Sequence, residues 1–290
     1  MVQSFWSKPA IGKRRYRMDG GWLNKKYHYL SWAYSCLQLV KFYGEVELVT
    51  DEPGKRLLID ELKLPYTTVK TILENLDNYH PGLWALGKIL AYQIQDTPFL
   101  HIDSDIFIWK PLPYYRVSAP VVMQSEEKYS HLFKDIADQI DQKFSFLPDK
   151  HKALIRSQNY VTNYNAGVIG GFDLDFFRHY TLEIFDFVDS SFSEFPKDDI
   201  SIMNVIYEQF FIYALTRKRQ MEVVFIFNRD SMSEIYKNQN FRRFRNEYAY
   251  LHVHDFKKNR VICELLERWM RSEHPSYYYR IIHLLKTKKI

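Results

Sequence analysis

Phe99-Leu-His-Ile-Asp-Ser-Asp-Ile-Phe-Ile-Trp-Lys-Pro111 decides how the rest of the chain is read. Asp103 and Asp105 stand one residue apart between two apolar runs. The runs are too short for a membrane span and rich in β-favouring residues, the pattern of a buried strand. In an arbitrary chain an Asp-x-Asp triplet is usually a solvated loop. Here the apolar flanks bring both carboxylates to the edge of the core. Burying one carboxylate is costly, and a second of like charge adds to the cost. A divalent cation bound by both removes it. Mg²⁺ or Mn²⁺ suits hard oxygen ligands and keeps positions open for water and phosphate. The spacing predicts a strand that ends at Asp103-Ser104-Asp105 and delivers a metal to a diphosphate.

Working outward, the preceding chain alternates strand and helix patterns. Val2 to Trp6 reads as a first strand and Lys13 to Arg17 as a basic loop. Tyr29 to Tyr43 carries Leu30, Ala33, Tyr34, Leu37 and Val40 at the spacing of one helical face, with Gly44 as C-cap. Glu45 to Asp51 alternates and stops at a Pro53-Gly54 turn, Tyr66 to Ile72 reads as a strand, and Pro81 begins a helix that runs to Ile94. Strand and helix in alternation predict an α/β protein: a single Rossmann-like, mixed and mostly parallel sheet flanked by helices. In such sheets ligands sit at the carboxyl ends of the strands, which is where the acidic triplet falls.

Beyond the triplet, Val121 to Met123 reads as a short strand. Residues 126–162 are polar and charged without a strand pattern, and read as an insertion near the substrate. Tyr164-Asn-Ala-Gly-Val-Ile-Gly-Gly-Phe172 is a strand of small residues where backbone approaches something closely. Asp173 to Val188 and Ile200 to Leu215 read as helices, Val223 to Phe227 and Tyr248 to His254 as strands. Val261, Ile262, Leu265, Leu266, Trp269 and Met270 line one face of a further helix.

The 290 residues suit one large domain, here 1–260, with a small appendage, the helical basic tail 261–290. An apolar content of 46% supports a full core. The 22 Tyr and 21 Phe fit strands and core packing, and also rings that stack on bases and sugars. Two cysteines without a Cys-x-x-Cys imply neither a disulfide framework nor a zinc site. Nine of the 40 basic residues and three of the 35 acidic ones lie in 257–290, so the rest of the chain is near neutral. A nucleic-acid binder would spread its basic residues through the fold, so no nucleic-acid partner is expected. The N-terminal apolar stretch is short and ends at Lys8-Pro9, unlike a signal peptide. No run approaches the ~20 apolar residues of a spanning helix. The default expectation is a cytoplasmic location. Residues 277–290 are basic, aromatic and free of acids, a stretch suited either to docking on the domain or to peripheral contact with the inner face of an anionic membrane.

Four segments line up: Asp103-x-Asp105, then Asn165-Ala-Gly167-Val with Gly170-Gly171, then Glu208-Gln209 in a helix, then Leu251-His-Val-His-Asp-Phe-Lys-Lys258. In this order and spacing the chain, from about residue 1 to about residue 260, resembles the A-type fold glycosyltransferases. It is similar in particular to the glycogenin-like and lipopolysaccharide galactosyltransferase-like retaining enzymes. The resemblance implies that Asp103 and Asp105 hold a divalent metal and, through it, the diphosphate of a nucleotide-sugar, with Ser104 between them. It implies a late histidine as a further ligand, and a lysine six residues on that meets the phosphates. His252 and Lys258 have that spacing, and His254 is a rival ligand on the same strand face. It further implies that Lys88 reaches the nucleotide-sugar, that Asn165 contacts the transferred sugar while Gly167 lets backbone pass close, and that Glu208-Gln209 lies near the reacting carbon. Gln3, Trp6 and Asp51 would frame the base, with Trp6 as a stacking partner. Two departures stand out: the family's Asp-Gln-Asp is replaced by Glu208-Gln209, with Asp198-Asp199 as rival acids, and the His-x-x-Gly-x-x-Lys form lacks its glycine.

The function implied is transfer of a hexose from a nucleoside-diphosphate sugar, favoured as a UDP-sugar, to a glycan or lipid-linked acceptor, with Mn²⁺ or Mg²⁺ as cofactor and retention at the anomeric carbon. Cell-surface polysaccharide synthesis is the setting that fits. Two other enzyme readings fail on the residues. A sugar-phosphate nucleotidyltransferase needs a glycine-rich basic loop near the start, and residues 1–20 hold only Gly12 and Gly20. In an Asp-x-Asp phosphatase the acids follow the first strand and precede Thr or Val, whereas here the strand is a late one and Ile106-Phe107 follows. A non-catalytic binder of nucleotide-sugar or glycan is the reading from a different class.

Overall fold

The computed structural model describes residues 1–10, 18–113, 118–129, 142, 144–157, 161–198, 200–227 and 244–290. The Lys13 to Arg17 loop and much of 126–162 therefore lie outside the described residues. The chain forms two compact units, Met1–Gly87 with His101–Leu112 and Ile235–Ile290, and Lys88–Leu100 with Pro113–Glu234. The strands of a seven-stranded sheet run in the order Thr68–Thr71, Glu47–Thr50, Val2–Phe5, Phe99–Ile102, Val161–Gly171, Val121–Tyr129 and Val223–Phe225.

In the first unit β1 (Val2–Phe5) lies parallel to β2 (Glu47–Thr50), and β2 parallel to β3 (Thr68–Thr71). On its other side β1 pairs in parallel with the end of β4 (Phe99–Ile102), Val2 opposite His101. Helix α1 (Lys25–Tyr43) contains neither Gly nor Pro. It stops at Gly44, whose φ of +73° suits a residue without Cβ and whose N–H bonds Val40 O at 2.9 Å. Its Tyr34 ring meets Phe107 edge-on at 5.2 Å and Trp269 at 5.9 Å. Trp269 belongs to α7 (Arg260–Glu273), which buries Ile262, Leu265, Leu266, Trp269 and Met270 and leaves Val261 exposed. Helix α8 (Pro275–Lys286) buries Tyr278, Ile281 and Leu284, and its Tyr278 hydroxyl donates to Glu267 Oε1 at 2.7 Å. The basic tail is thus a helix with its apolar side turned inward.

In the second unit β6 (Val121–Tyr129) pairs antiparallel with β7 (Val161–Gly171) and parallel with β8 (Val223–Phe225). The sheet as a whole is mixed and mostly parallel. Helix α2 (Leu86–Gln93) enters this unit at Lys88, α3 (Asp149–Arg156) and α4 (Leu174–Ser191) flank β7 in sequence, and Asp173 caps α4 by accepting from Phe176 N at 2.9 Å. The segment Ile202–Lys218 is helical, as α5 (Ile202–Val205), a π-helical turn over Ile206–Phe210, and α6 (Phe211–Lys218). The close approach expected at the small residues of β7 is real and is strand against strand: a Cβ at Gly170, where φ is +158°, would sit 2.0 Å from Phe99 O.

Several boundaries differ from the sequence reading. Pro53 and Gly54 lie in the short helix Glu52–Lys55, capped by Asp51, instead of a turn. The helix expected from Pro81 begins at Leu86, since residues 81–85 form turns. Strand β6 continues through Glu126 to Tyr129. The last strand, β9, is only Tyr250–His252. Among the described residues no helix is long and apolar enough to cross a membrane.

Candidate metal centre

Strand β4 ends at Ile102, and the chain turns over Asp103-Ser104-Asp105, with Ile106 N–H bonding Asp103 O at 3.0 Å. It re-enters the core as β5 (Ile106–Ile108), whose three side chains are fully buried. Burial of β5 explains why an acidic turn with apolar flanks holds a fixed place. Helix α1 braces the turn from below, its Ser31 hydroxyl donating to Ser104 O at 2.6 Å and its Ser35 hydroxyl to Asp103 O at 3.5 Å.

A two-stranded antiparallel ladder brings in the third group. β5 pairs with β9, Ile106 opposite His252, and Val253 N–H bonds Asp105 O at 3.0 Å. One ligand atom each from Asp103, Asp105 and His252 lies within 4.8 Å of the others. His252 Nε2 is 3.4 Å from Asp105 Oδ2. Two carboxylates and one imidazole form a donor set that could hold a divalent cation. The cation implied by the sequence resemblance fits these residues.

The electrostatics of the pair are unequal. Asp103 is partly exposed and lies 3.8 Å from His101 Nδ1. Asp105 is 4% exposed. Burial pushes its carboxyl upward, but Lys257 and then His252 outweigh burial and hold it well below the usual carboxylate range. Lys257 Nζ sits 2.7 Å from Asp105 Oδ2.

His254 is not on the strand. The chain leaves β9 for a tight turn over His254–Phe256, where His254 has φ +35°. Its Nδ1 lies 2.9 Å from Asp255 Oδ1, and its ring is 5.3 Å from that of His252. The same turn swings Lys257 inward and leaves Lys258 exposed. Spacing pointed to Lys258; the inward lysine is its neighbour. Lys257-Lys258 was visible in the sequence as a pair, but its phase depends on the turn at His254.

Gln3, Trp6 and Asp51 brace the first unit from within. Gln3 is fully buried, donates to Ser35 Oγ at 3.0 Å and Ile102 O at 3.3 Å, and accepts from the Tyr66 hydroxyl at 2.7 Å. Trp6 is 7% exposed and packs on Gly87, where a Cβ would come within 2.9 Å of it. Asp51 accepts from Ser7 N at 2.8 Å, Ser7 Oγ at 2.6 Å and Gly54 N at 2.8 Å. Burial pushes its carboxyl upward, and these donors oppose the push.

The second unit holds a separate polar constellation. Lys88 Nζ, nearly buried, lies 2.6 Å from Glu208 Oε1 and donates to Ala166 O at 3.1 Å. The Tyr92 hydroxyl donates to the same Glu208 oxygen at 3.2 Å, and the Tyr180 hydroxyl to Glu208 O at 2.5 Å. Glu208 stands on the π-helical turn, a distortion often found at functional positions. Gln209 Oε1 accepts from Asn163 Nδ2 at 3.0 Å. Asn165 accepts from Gly167 N at 2.9 Å and donates to Glu127 Oε1 at 2.7 Å. Lys88, Glu208 and the Asn165–Gly167 stretch are thereby tied together. Glu127 escaped the sequence reading because its charge hid it from the strand pattern. Asp198 is exposed, and Asp199 lies outside the described residues.

Solved structures that the chain is similar to include the galactosyltransferase LgtC in complex with donor and acceptor sugar analogs (12% identity, 71% of this chain and 69% of that one, TM-score 0.38). They also include mouse xyloside xylosyltransferase 1 in its apo form (9% identity, 87% of this chain and 96% of that one, TM-score 0.39). No curated protein matches the sequence. A family model does, over residues 1–284, and the chain belongs to that family, the Family of unknown function (DUF6734).

Proposed function

We propose that this chain is a metal-dependent glycosyltransferase of the A-type fold. It moves a hexose from a nucleoside-diphosphate sugar, a UDP-sugar first, to a glycan or glycolipid acceptor, with retention. The observation that carries the reading is the convergence of Asp103, Asp105 and His252 at the carboxyl end of a parallel strand, where such sheets bind their ligands. The sequence resemblance gives the convergence its chemistry.

A Mn²⁺ or Mg²⁺ ion in this donor set supplies Lewis-acid stabilisation of the departing diphosphate. The chain's own residues do the rest. Asp103 and Asp105 supply the negative charge that holds the cation, and Lys258 supplies positive charge for phosphate oxygens. Such preorganised charge is typically the largest contribution to catalysis. Glu208, its carboxylate fixed by Lys88 and Tyr92, serves the reacting sugar together with Gln209, and Asn165 and Gly167 hold the sugar hydroxyls. Residues 1–260 carry the transfer, and 126–162 select the acceptor. The setting is cytoplasmic. Contact with an anionic bilayer comes through exposed Tyr279, Lys286, Lys288 and Lys289, since the apolar side of α8 is buried; it is therefore weakened by salt.

The test is calorimetric titration of UDP with Mn²⁺ and with EDTA, for the wild type and Asp103→Ala/Asp105→Ala. Metal-dependent binding that vanishes in the variant is expected, followed by release of UDP from a UDP-sugar when acceptor glycans are screened. Absence of metal-dependent binding of UDP, GDP, CMP and dTDP would sink the reading. Binding without turnover of any sugar would replace it with a nucleotide-sugar binding protein.

A further inference from the structure

Lys257 occupies a position that the proposed transfer chemistry does not explain. Its ammonium lies 2.7 Å from Asp105 Oδ2 and donates to Gly20 O at 3.2 Å. Its side chain is 14% exposed and that of Asp105 6%, so the pair is nearly dry. The stem runs past Gly21, whose added Cβ would come within 3.6 Å of Lys257 Cδ. The oxygen it binds, Oδ2, is also the one that His252 Nε2 faces at 3.4 Å. A lysine here satisfies the most buried carboxylate of the cluster with a single charge.

A divalent cation drawing on Asp105 must stand within about 2.1–2.2 Å of a carboxylate oxygen, in the space toward Asp103 and His252. An ammonium hydrogen-bonded to the same carboxylate then faces a double positive charge at close range in a poorly screened site. The two cations compete for one carboxylate. Lysine is suited to yielding: its ammonium rides on a flexible four-carbon stem, and next to the exposed Lys258 the route to solvent is short.

We propose that Lys257 is the resident counter-ion of this metal site, and that a divalent cation gains Asp105 by displacing it. The inference rests on the metal-site reading and adds an exchange to it. Before the cation arrives, Lys257 keeps Asp105 neutralised and the 254–257 turn closed on Gly20. On exchange the ammonium leaves Asp105 and is released toward the anionic part of the donor. Metal affinity is thereby set partly by a residue that is not a ligand, and filling of the site is coupled to opening of the turn.

Two measurements test this without relying on activity. The first is Mn²⁺ binding in the absence of nucleotide, for the wild type, Lys257→Met and Lys258→Met. Lys257→Met is expected to bind Mn²⁺ at least tenfold more tightly than the wild type, and Lys258→Met to match the wild type. The second uses the wild type alone. Amine acylation read by mass spectrometry should modify Lys257 slowly in EDTA and severalfold faster with saturating Mn²⁺, with exposed Lys258 as the internal reference. This arm decides the matter if Lys257→Met fails to fold. Equal Mn²⁺ affinity in the wild type and Lys257→Met, or unchanged Lys257 labelling while Mn²⁺ is bound, overturns the exchange and leaves the metal site standing. Mn²⁺ binding to neither protein overturns both.

Discussion

Glu208 shows how much one carboxylate can be asked to do. A single oxygen serves both the Lys88 ammonium and the Tyr92 hydroxyl, and the side chain is 1% exposed. A buried pair of this kind is weak evidence for net stability, yet removing one member leaves the other charged and desolvated. Glu208→Gln should therefore lower the unfolding free energy by about 3 kcal/mol. Replacing both residues, as Lys88→Met/Glu208→Leu, should recover much of the loss. Urea denaturation measures both. A single variant as stable as the wild type would show that Lys88 finds another anion or reaches water. Asp103 and Asp105 were conspicuous as carboxylates beside apolar runs, whereas His252 was legible only as one of two rivals with His254. Lys257 was not legible, since choosing between adjacent lysines requires the backbone angle of His254.

At the scale of elements, helix α3 and helix α6 meet through a histidine. His151 is 1% exposed and stacks on Phe211 at 4.1 Å between ring centroids, and its Nδ1 has no hydrogen-bond partner among the described residues. Burial, with Lys150 adding, pushes its pKa down to about 4, so the folded protein holds it neutral. The unfolded chain takes up that proton from ~6.5 downward. Stability is thus fully present above that pH and is lost as the pH falls toward 4. His151→Phe should keep the stack and lose the sensitivity, so that going from pH 7 to 4.5 costs it about 2–3 kcal/mol less than the wild type. Denaturant midpoints at the two pH values check this, and parallel losses would refute it. The elements most legible in sequence were β2, β4 and α1, whose apolar spacing is regular and whose ends are followed by Asp51, Asp103 and Gly44. The far half of β6 was hidden for a physical reason. Its partners on β7 are polar too, Ser125 facing Asn165 and Glu127 facing Asn163, so no apolar alternation marks it. The helix expected from Pro81 starts late because Gly82 and its neighbours take turns instead.

For the molecule as a whole, the tail belongs to the first unit's core. Tyr278, Ile281 and Leu284 are buried, and Arg280 Nε bonds Glu61 O. Each such side chain is worth roughly 1.5–3 kcal/mol of burial. Deleting residues 275–290 should lower the guanidinium midpoint by an amount equal to several kcal/mol, while leaving the Asp103, Asp105 and His252 cluster assembled. An unchanged midpoint would show that α8 is an appendage. Charge, by contrast, was readable from composition alone, since the excess of basic residues over acidic ones sits within 257–290.

The ladder between β5 and β9 has a consequence in time. His252 follows Asp105 by half the length of the chain, and the pairing of Ile106 with His252 is what unites them. A ribosome adding roughly 5–20 residues each second exposes the two aspartates many seconds before the histidine exists. Throughout that interval the nascent chain carries an acidic turn with neither its imidazole nor Lys257. Competence to hold a cation therefore requires a chain that extends past β9, and a product truncated before β9 should be unable to acquire it.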